Sequence, residues 1–335
     1  MTISRKLFFF TITMVLLSFL TMAQTIQILH TGTKISLRGL SVVNDSTIWV
    51  SGNNGTVGKS VDGGNNWKWF TVKGFEQSDF RDVKAYNGKI ALIMSIAAPA
   101  YILRTTDGGE NWKIVYENKD SAMFLDAMDF WNDQIGVALG DPINNKFFVI
   151  RTVNGGKTWK DLPLNKNRVA VTSEGCFASS GTNIRMLNKQ ESVFVSGGLT
   201  SHLFIKNKVI ELPILNGKTT TGANSIAVKS NKIMVIVGGD FTTRDSANNN
   251  CVLTTDGGVS FSVAQTPPHG YRSCVEYLGN NNWLCTGLNG SDYSIDEGKN
   301  WLLISNKSFN ACRKAKNGKS VFFAGNNGTV GKLLY

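Results

Sequence analysis

From Gln24 onward the chain is built of short apolar runs, about four to six residues each, bounded on both sides by Asn, Asp, Gly or Ser. Runs this short between turn formers predict strands, and no stretch of the chain after residue 23 sustains a helical apolar period for long. The first unit shows the layout, with runs at 40–43, 48–51, 56–59 and 67–72 and the turn Asn44-Asp45-Ser46 between the first two. It reads as four strands joined by tight turns. Residues 1–23 follow a different pattern: Arg5 and Lys6, then an apolar run over 7–20, then Thr21-Met22-Ala23. That is the order of a secretory leader with a small-residue cleavage site, and a run of about 14 residues falls short of the ~20 a membrane-spanning helix needs. The expected mature chain is one domain over residues 24–335, periplasmic or extracellular.

One turn sequence recurs five times, at 60–67, 105–112, 152–159, 254–261 and 294–301, with Asp62, Asp107, Asn154, Asp256 and Asp296 in its key position. The interval is about 45 residues except for one gap of twice that, where a degenerate copy is expected near residue 205. A period of this size marks a β-propeller. First strands begin near Gly39, Asp82, Ala127, Ile184, Ser225, Ser273 and Ala311, so the predicted fold is all-β, a seven-bladed propeller of four-stranded blades. Residues 325–332 repeat residues 52–59 unchanged, and the chain then ends one strand early. The strand completing the last blade is expected from residues 25–30, a closure that leaves no exposed sheet edge.

The repeated turn, for example Ser60-Val61-Asp62-Gly63-Gly64-Asn65-Asn66-Trp67, resembles the Asp-box of sialidases and other BNR-repeat propellers, Ser-x-Asp-x-Gly-x-Thr-Trp. Its residues have structural work to do: the Asp caps backbone N–H groups, the glycines take positive φ, and the aromatic packs between sheets. Further segments, among them Leu37-Arg38-Gly39-Leu40, Phe80-Arg81-Asp82-Val83, Leu139-Gly140-Asp141-Pro142, Val237-Gly238-Gly239-Asp240-Phe241 and Gly270-Tyr271-Arg272-Ser273, are similar to exported bacterial propellers related to the photosystem II stability and assembly factors, whose repeats are also described as WD40/YVTN-like. The resemblance implies a scaffold that binds a protein segment. Relatives often carry an oxidoreductase label, but there is no Gly-x-Gly-x-x-Gly after a strand, no haem-attachment motif and no Cys-x-x-Cys, so no cofactor is expected.

Charge narrows the partners. The whole chain carries a net +11, which favours anionic partners in general; basic clusters with interleaved aromatics are lacking, so nucleic acid is not expected. The five cysteines, Cys176, Cys251, Cys274, Cys285 and Cys312, are an odd number without metal-site spacing, and only His30, His202 and His269 accompany them. Buried strand positions are the expected role, and no metal is expected.

The residue just before each first strand should face the channel rim, which brings Arg38, Arg81, Asp126, Asn183 and Arg272 into one ring, with Asn224 and Asn310 at the remaining places. Three guanidinium forks converging on an opening would clamp a carboxylate or phosphate, with Asp126 and Asn183 orienting it. The main expectation is a non-catalytic binding or assembly module gripping a protein segment or anionic ligand. The alternative is a sialidase-like glycoside hydrolase with Tyr271, Glu174 and Asp126 in the catalytic roles, although the Arg-Ile-Pro sequence of sialidases is missing. A third expectation is internal: Arg38 and Arg81 pair with Asp82 and Asp126 and serve only to fill a polar channel.

Overall fold

The structure, a computed structural model, describes residues 24–29, 32–162 and 168–335; the expected leader lies outside them. Seven antiparallel sheets stand around a central channel. Their innermost strands are Leu37–Val42, Phe80–Ala85, Leu125–Phe130, Ile184–Met186, Thr221–Val228, Cys274–Gly279 and Ala311–Lys314, and each packs beside the next until the last meets the first. Apolar residues fill the seven interfaces between blades. Leu40, Ile48 and Val50 of the first blade meet Ala311, Phe322 and Ala324 of the seventh, for instance, and Val235 and Val237 of the fifth meet Trp283 and Cys285 of the sixth. The core is therefore a ring, and the apolar runs seen in the sequence are strands buried on both faces by neighbouring blades.

The recurring turn is fixed by its own side chains. Ser60 Oγ accepts the Gly64 N–H at 2.9 Å and donates to Asp62 Oδ1, which also takes the Asn66 N–H at 2.9 Å; Trp67 Nε1 donates to Gly64 O at 3.0 Å. The other four copies repeat the backbone N–H bond to the key Asp or Asn. These N–H bonds, led by that of Asn66, hold Asp62 down to about 2. The turn aromatic reaches the preceding blade: Trp112 meets Trp49 edge-on, with ring centroids 6.4 Å apart. Blade four has no such turn near residue 205. Its strands His202–Ile205 and Lys208–Glu211 are joined by Lys206 and Asn207 alone, Lys206 taking φ 55°. The blade is kept while the motif is lost.

In the seventh sheet Thr25–Leu29 pairs with Val330–Leu334, Thr25 opposite Leu334 and Leu29 opposite Val330. His30, the last residue of the segment expected there, lies outside the described residues. Among the described residues no helix is long and apolar enough to cross a membrane.

Candidate functional site

A β-bulge recurs at the start of the innermost strands. Register slips between Leu37 and Gly39, Phe80 and Asp82, Leu125 and Ala127, and Ala223 and Ser225, so the extra residues are Arg38, Arg81, Asp126 and Asn224. A bulge leaves its residue outside the ladder and re-aims the side chain. This is the physical reason one sequence position in each of these four blades is free to build the rim.

Arg38 and Arg81 do converge. They line a cavity of about 350 Å³ together with Asp141, Ser179, Phe241 and Tyr271. Arg38 has one long hydrogen bond, Nη1 to Ser179 O at 3.5 Å, and burial together with the like charge of Arg81 pushes its pKa below the usual guanidinium range. Arg81 donates from Nε to Asp79 Oδ2 at 2.8 Å, in a pair about a quarter exposed. Neither arginine pairs with Asp82 or Asp126. Asp82 accepts instead from the N–H groups of Val83 and Met128, so the internal pairing expected from the sequence is not formed. Phe177, Phe241 and Tyr271 make an edge-to-face aromatic rim, with centroids 6.0 and 6.3 Å apart, and Phe241 is 38% exposed. The Tyr271 hydroxyl donates to Asn224 Oδ1 at 2.7 Å, and burial pushes its pKa up to about 12.

Arg272 corrects the three-arginine clamp. It is fully buried and turned away from the mouth, with Nε donating to Asp292 Oδ2 at 2.6 Å and Nη1 to Tyr271 O at 2.8 Å and Asn289 Oδ1 at 2.5 Å. A buried carboxylate within reach outcompetes an open channel, because an unpaired guanidinium there would stay desolvated. Asn183 is also buried, giving its amide to Phe177 O at 3.3 Å, and does not line the cavity with the arginines. The residues expected for hydrolysis are not brought into one set. Glu174 is taken up by His202 Nδ1 at 2.8 Å, by the Val171 N–H at 2.9 Å and by Ser196 Oγ, while the Tyr271 hydroxyl meets Asn224 and Ser179. Asp126 lies beneath the mouth, fully buried beside Asp141 and Cys176. Burial, then the Asp141 charge, hold its pKa well above the usual carboxylate range.

Sequence reasoning missed Cys176 as a rim residue and Asp79 as the partner of Arg81. It had Phe241 only as part of a family-like pattern, and Asp141 both there and as a loop residue approaching the rim. The signal available was that Asp141 follows a glycine at the end of an apolar run, a position that turn capping explains equally well.

At the other end of the channel, where the innermost strands finish, a second cavity of about 300 Å³ is lined by Asp82, Lys84, Asp129, Arg185, Glu276 and Arg313 among others. Its arginines are engaged: Arg185 lies 3.7 Å from Glu276 and 4.0 Å from Asp129, and Arg313 Nη2 donates to Ser180 O at 2.7 Å and Gly181 O at 3.2 Å, while Lys84 lies over the Tyr86 and Phe130 rings at 5.7 and 5.3 Å.

No protein-family model matches the chain, and no curated protein sequence matches it. Solved structures do. YCF48 bound to D1 peptide is similar at a TM-score of 0.65 with 16% identity, covering 92% of this chain and 97% of that one. YCF48 from Cyanidioschyzon merolae matches at 0.65 with 17% identity, covering 92% and 98%. The WD40 propeller domain of Doa1 matches at 0.63 with 16% identity, covering 94% and 97%. At these identities the likeness is one of fold, and the fold is the seven-bladed propeller.

Proposed function

We propose that this chain is a non-catalytic binding propeller that holds an acidic protein segment at the mouth lined by Arg38 and Arg81. The observation that carries the reading is Arg38 itself: a guanidinium drawn into the channel, beside a second arginine, with a single 3.5 Å hydrogen bond among the described residues. Such a group gains most from an anionic partner, since charge-assisted bonds to a carboxylate are about twice as strong as neutral ones. The aromatic rim of Phe177, Phe241 and Tyr271 gives an apolar residue of the same segment a surface to lie on. That YCF48 has been solved bound to a D1 peptide, on the same fold, supports a peptide as the ligand class. The repeated turns and the flanking segments support placing the chain among Asp-box propellers related to photosystem II assembly factors. Residues 1–23 are proposed to direct export. Intact mass of the natively expressed protein should begin at Gln24, and retention of Met1 would overturn that part.

The test is fluorescence anisotropy with labelled peptides that have acidic, neutral or basic ends and free or amidated C-termini. Acidic peptides should bind best, and Arg38→Gln with Arg81→Gln should weaken them about tenfold or more while flattening the salt dependence. Equal binding of acidic and basic peptides, or full binding by the double variant, would overturn the reading.

A further inference from the structure

Beneath the same mouth are three donors from three separate segments. Asp126 comes from the bulge of the innermost strand of blade three. Asp141 comes from the bulge between Gly140 and Pro142 in the neighbouring strand Gly136–Ile143. Cys176 follows the short strand Glu174–Gly175. One ligand atom from each lies within 4.8 Å of the other two. We infer that Asp126, Asp141 and Cys176 form a binding site for a divalent transition-metal cation of zinc type, with a further coordination position facing the channel mouth.

The independent sign of a ligand is Asp126. Its side chain is fully buried, and among the described residues neither carboxylate oxygen has a hydrogen-bond partner, whereas most buried side-chain polar atoms have at least one. A bound cation supplies what those oxygens lack. The surroundings are shaped to hold the other two donors. The Cys176 N–H donates to Asp141 Oδ1 at 2.8 Å, fixing that carboxylate and leaving its second oxygen for a metal. At Gly175 a Cβ would stand 2.9 Å from the same Oδ1, so a side chain there would push Asp141 out. Cys176 Sγ has one weak contact, Val195 O at 3.6 Å. Two carboxylate oxygens and one thiolate suit a borderline cation, since the sulfur selects against magnesium and calcium and the mixed set fits a four-coordinate zinc. Asp141 and Cys176 also line the cavity beside Arg38 and Arg81, so the remaining position opens toward solvent. On binding, the Cys176 thiol proton passes to water as the metal–sulfur bond forms.

The experiment uses the chain from residue 24, stripped with chelator and titrated with zinc by calorimetry and with cobalt by absorption. One equivalent should bind, cobalt should give a near-ultraviolet thiolate charge-transfer band, and zinc should raise the melting temperature. Cys176→Ser should abolish the band, and Asp126→Asn should weaken zinc by tenfold or more with the fold retained by circular dichroism. If Cys176→Ser does not fold, Asp126→Asn together with the cobalt band of the unaltered chain still decides. No stoichiometric binding, a cobalt spectrum without the sulfur band, or affinity unchanged in Asp126→Asn would each overturn the site. The readout is the metal alone, so failure here leaves the acidic-segment reading untouched.

Discussion

The two ends of the channel both carry arginines and carboxylates, yet they use them differently. Where the innermost strands finish, Arg185 sits between Glu276 and Asp129, and Arg313 is held by the carbonyls of Ser180 and Gly181. Where they start, Arg38 has one long bond and Arg81 one partly exposed partner. A closed set of charges serves the scaffold, because removing one member strands the others in a poorly solvated place. An under-satisfied charge at a cavity is free to serve a ligand. Arginine count alone does not distinguish the two cases; the partners do.

Arg272 gives the strongest way to break that distinction. In the sequence it belongs with Arg38 and Arg81, but its side chain and that of Asp292 are both fully buried and paired. Arg272→Leu should therefore cost about 3–5 kcal/mol of unfolding free energy, the usual result of stranding one member of a buried pair. Arg38→Gln with Arg81→Gln should cost under about 1 kcal/mol, the scale of exposed ion pairs. Denaturant melts of both variants check this. Equal losses would mean that the first mouth is as closed as the second.

The same residues show how far the sequence could be read. The fold was legible because one turn closes five of the blades with the same chemistry, so Asp62, Asp107, Asn154, Asp256 and Asp296 keep step with the strands. Blade four was legible by its first strand near Ile184, but its turn only as a gap, since a hairpin through Lys206 and Asn207 needs no motif. The rim was half legible. In four blades the position expected at the rim is the bulge residue, Arg38, Arg81, Asp126 or Asn224, but the bulges leave no mark in the sequence, and nothing local tells Arg38 from Arg272. Asp292, on the strand Gly290–Ser294, decides that. Asp126, Asp141 and Cys176 meet only through the tertiary fold, so no spacing announced them.

A weaker effect sharpens the contrast from the closed end. Burial pushes Asp82 up to about 7, against the pull of Arg313 and the N–H groups of Met128 and Val83. Its folded value lies above the unfolded value near 3.8, so the folded state binds the extra proton. The stability Asp82 contributes is present below about pH 4 and is lost as pH rises through about 7. Asp82→Asn should be less stable at low pH, because its amide NH2 would face one of the two N–H donors, where a protonated carboxyl still offers its hydroxyl oxygen as an acceptor. It should also lack the decline between about pH 4 and 7 that the unaltered chain shows from this group. The check is the difference in unfolding free energy between the two proteins at several pH values; a constant difference would place the Asp82 proton elsewhere. Peptide affinity at the first mouth should follow neither change.

The smallest expected effect lies outside both mouths and serves as their control. In the fifth copy of the turn, Glu297 takes φ 66°, where the other copies place glycines at 71° to 85°. Left-handed backbone costs a residue with a Cβ about 1–2 kcal/mol, so Glu297→Gly relieves strain. Against that, glycine adds about 0.4–1 kcal/mol of unfolded-state entropy. The Glu297 carboxylate also receives Lys229 Nζ at 2.6 Å, with both side chains 24% exposed, and a pair of that exposure contributes roughly 0.5 kcal/mol. The three terms nearly cancel, and the variant should unfold within about 0.5 kcal/mol of the parent. With Lys229→Gln already in place the ion-pair loss disappears, so the same replacement should become more favourable by roughly 0.5 kcal/mol, a difference that a double-mutant cycle resolves. A loss above about 2 kcal/mol from Glu297→Gly alone would make that ion pair a larger support of the blade than its exposure allows. It would also weaken the rule used at the two mouths, that engagement and burial together set what a charge is worth.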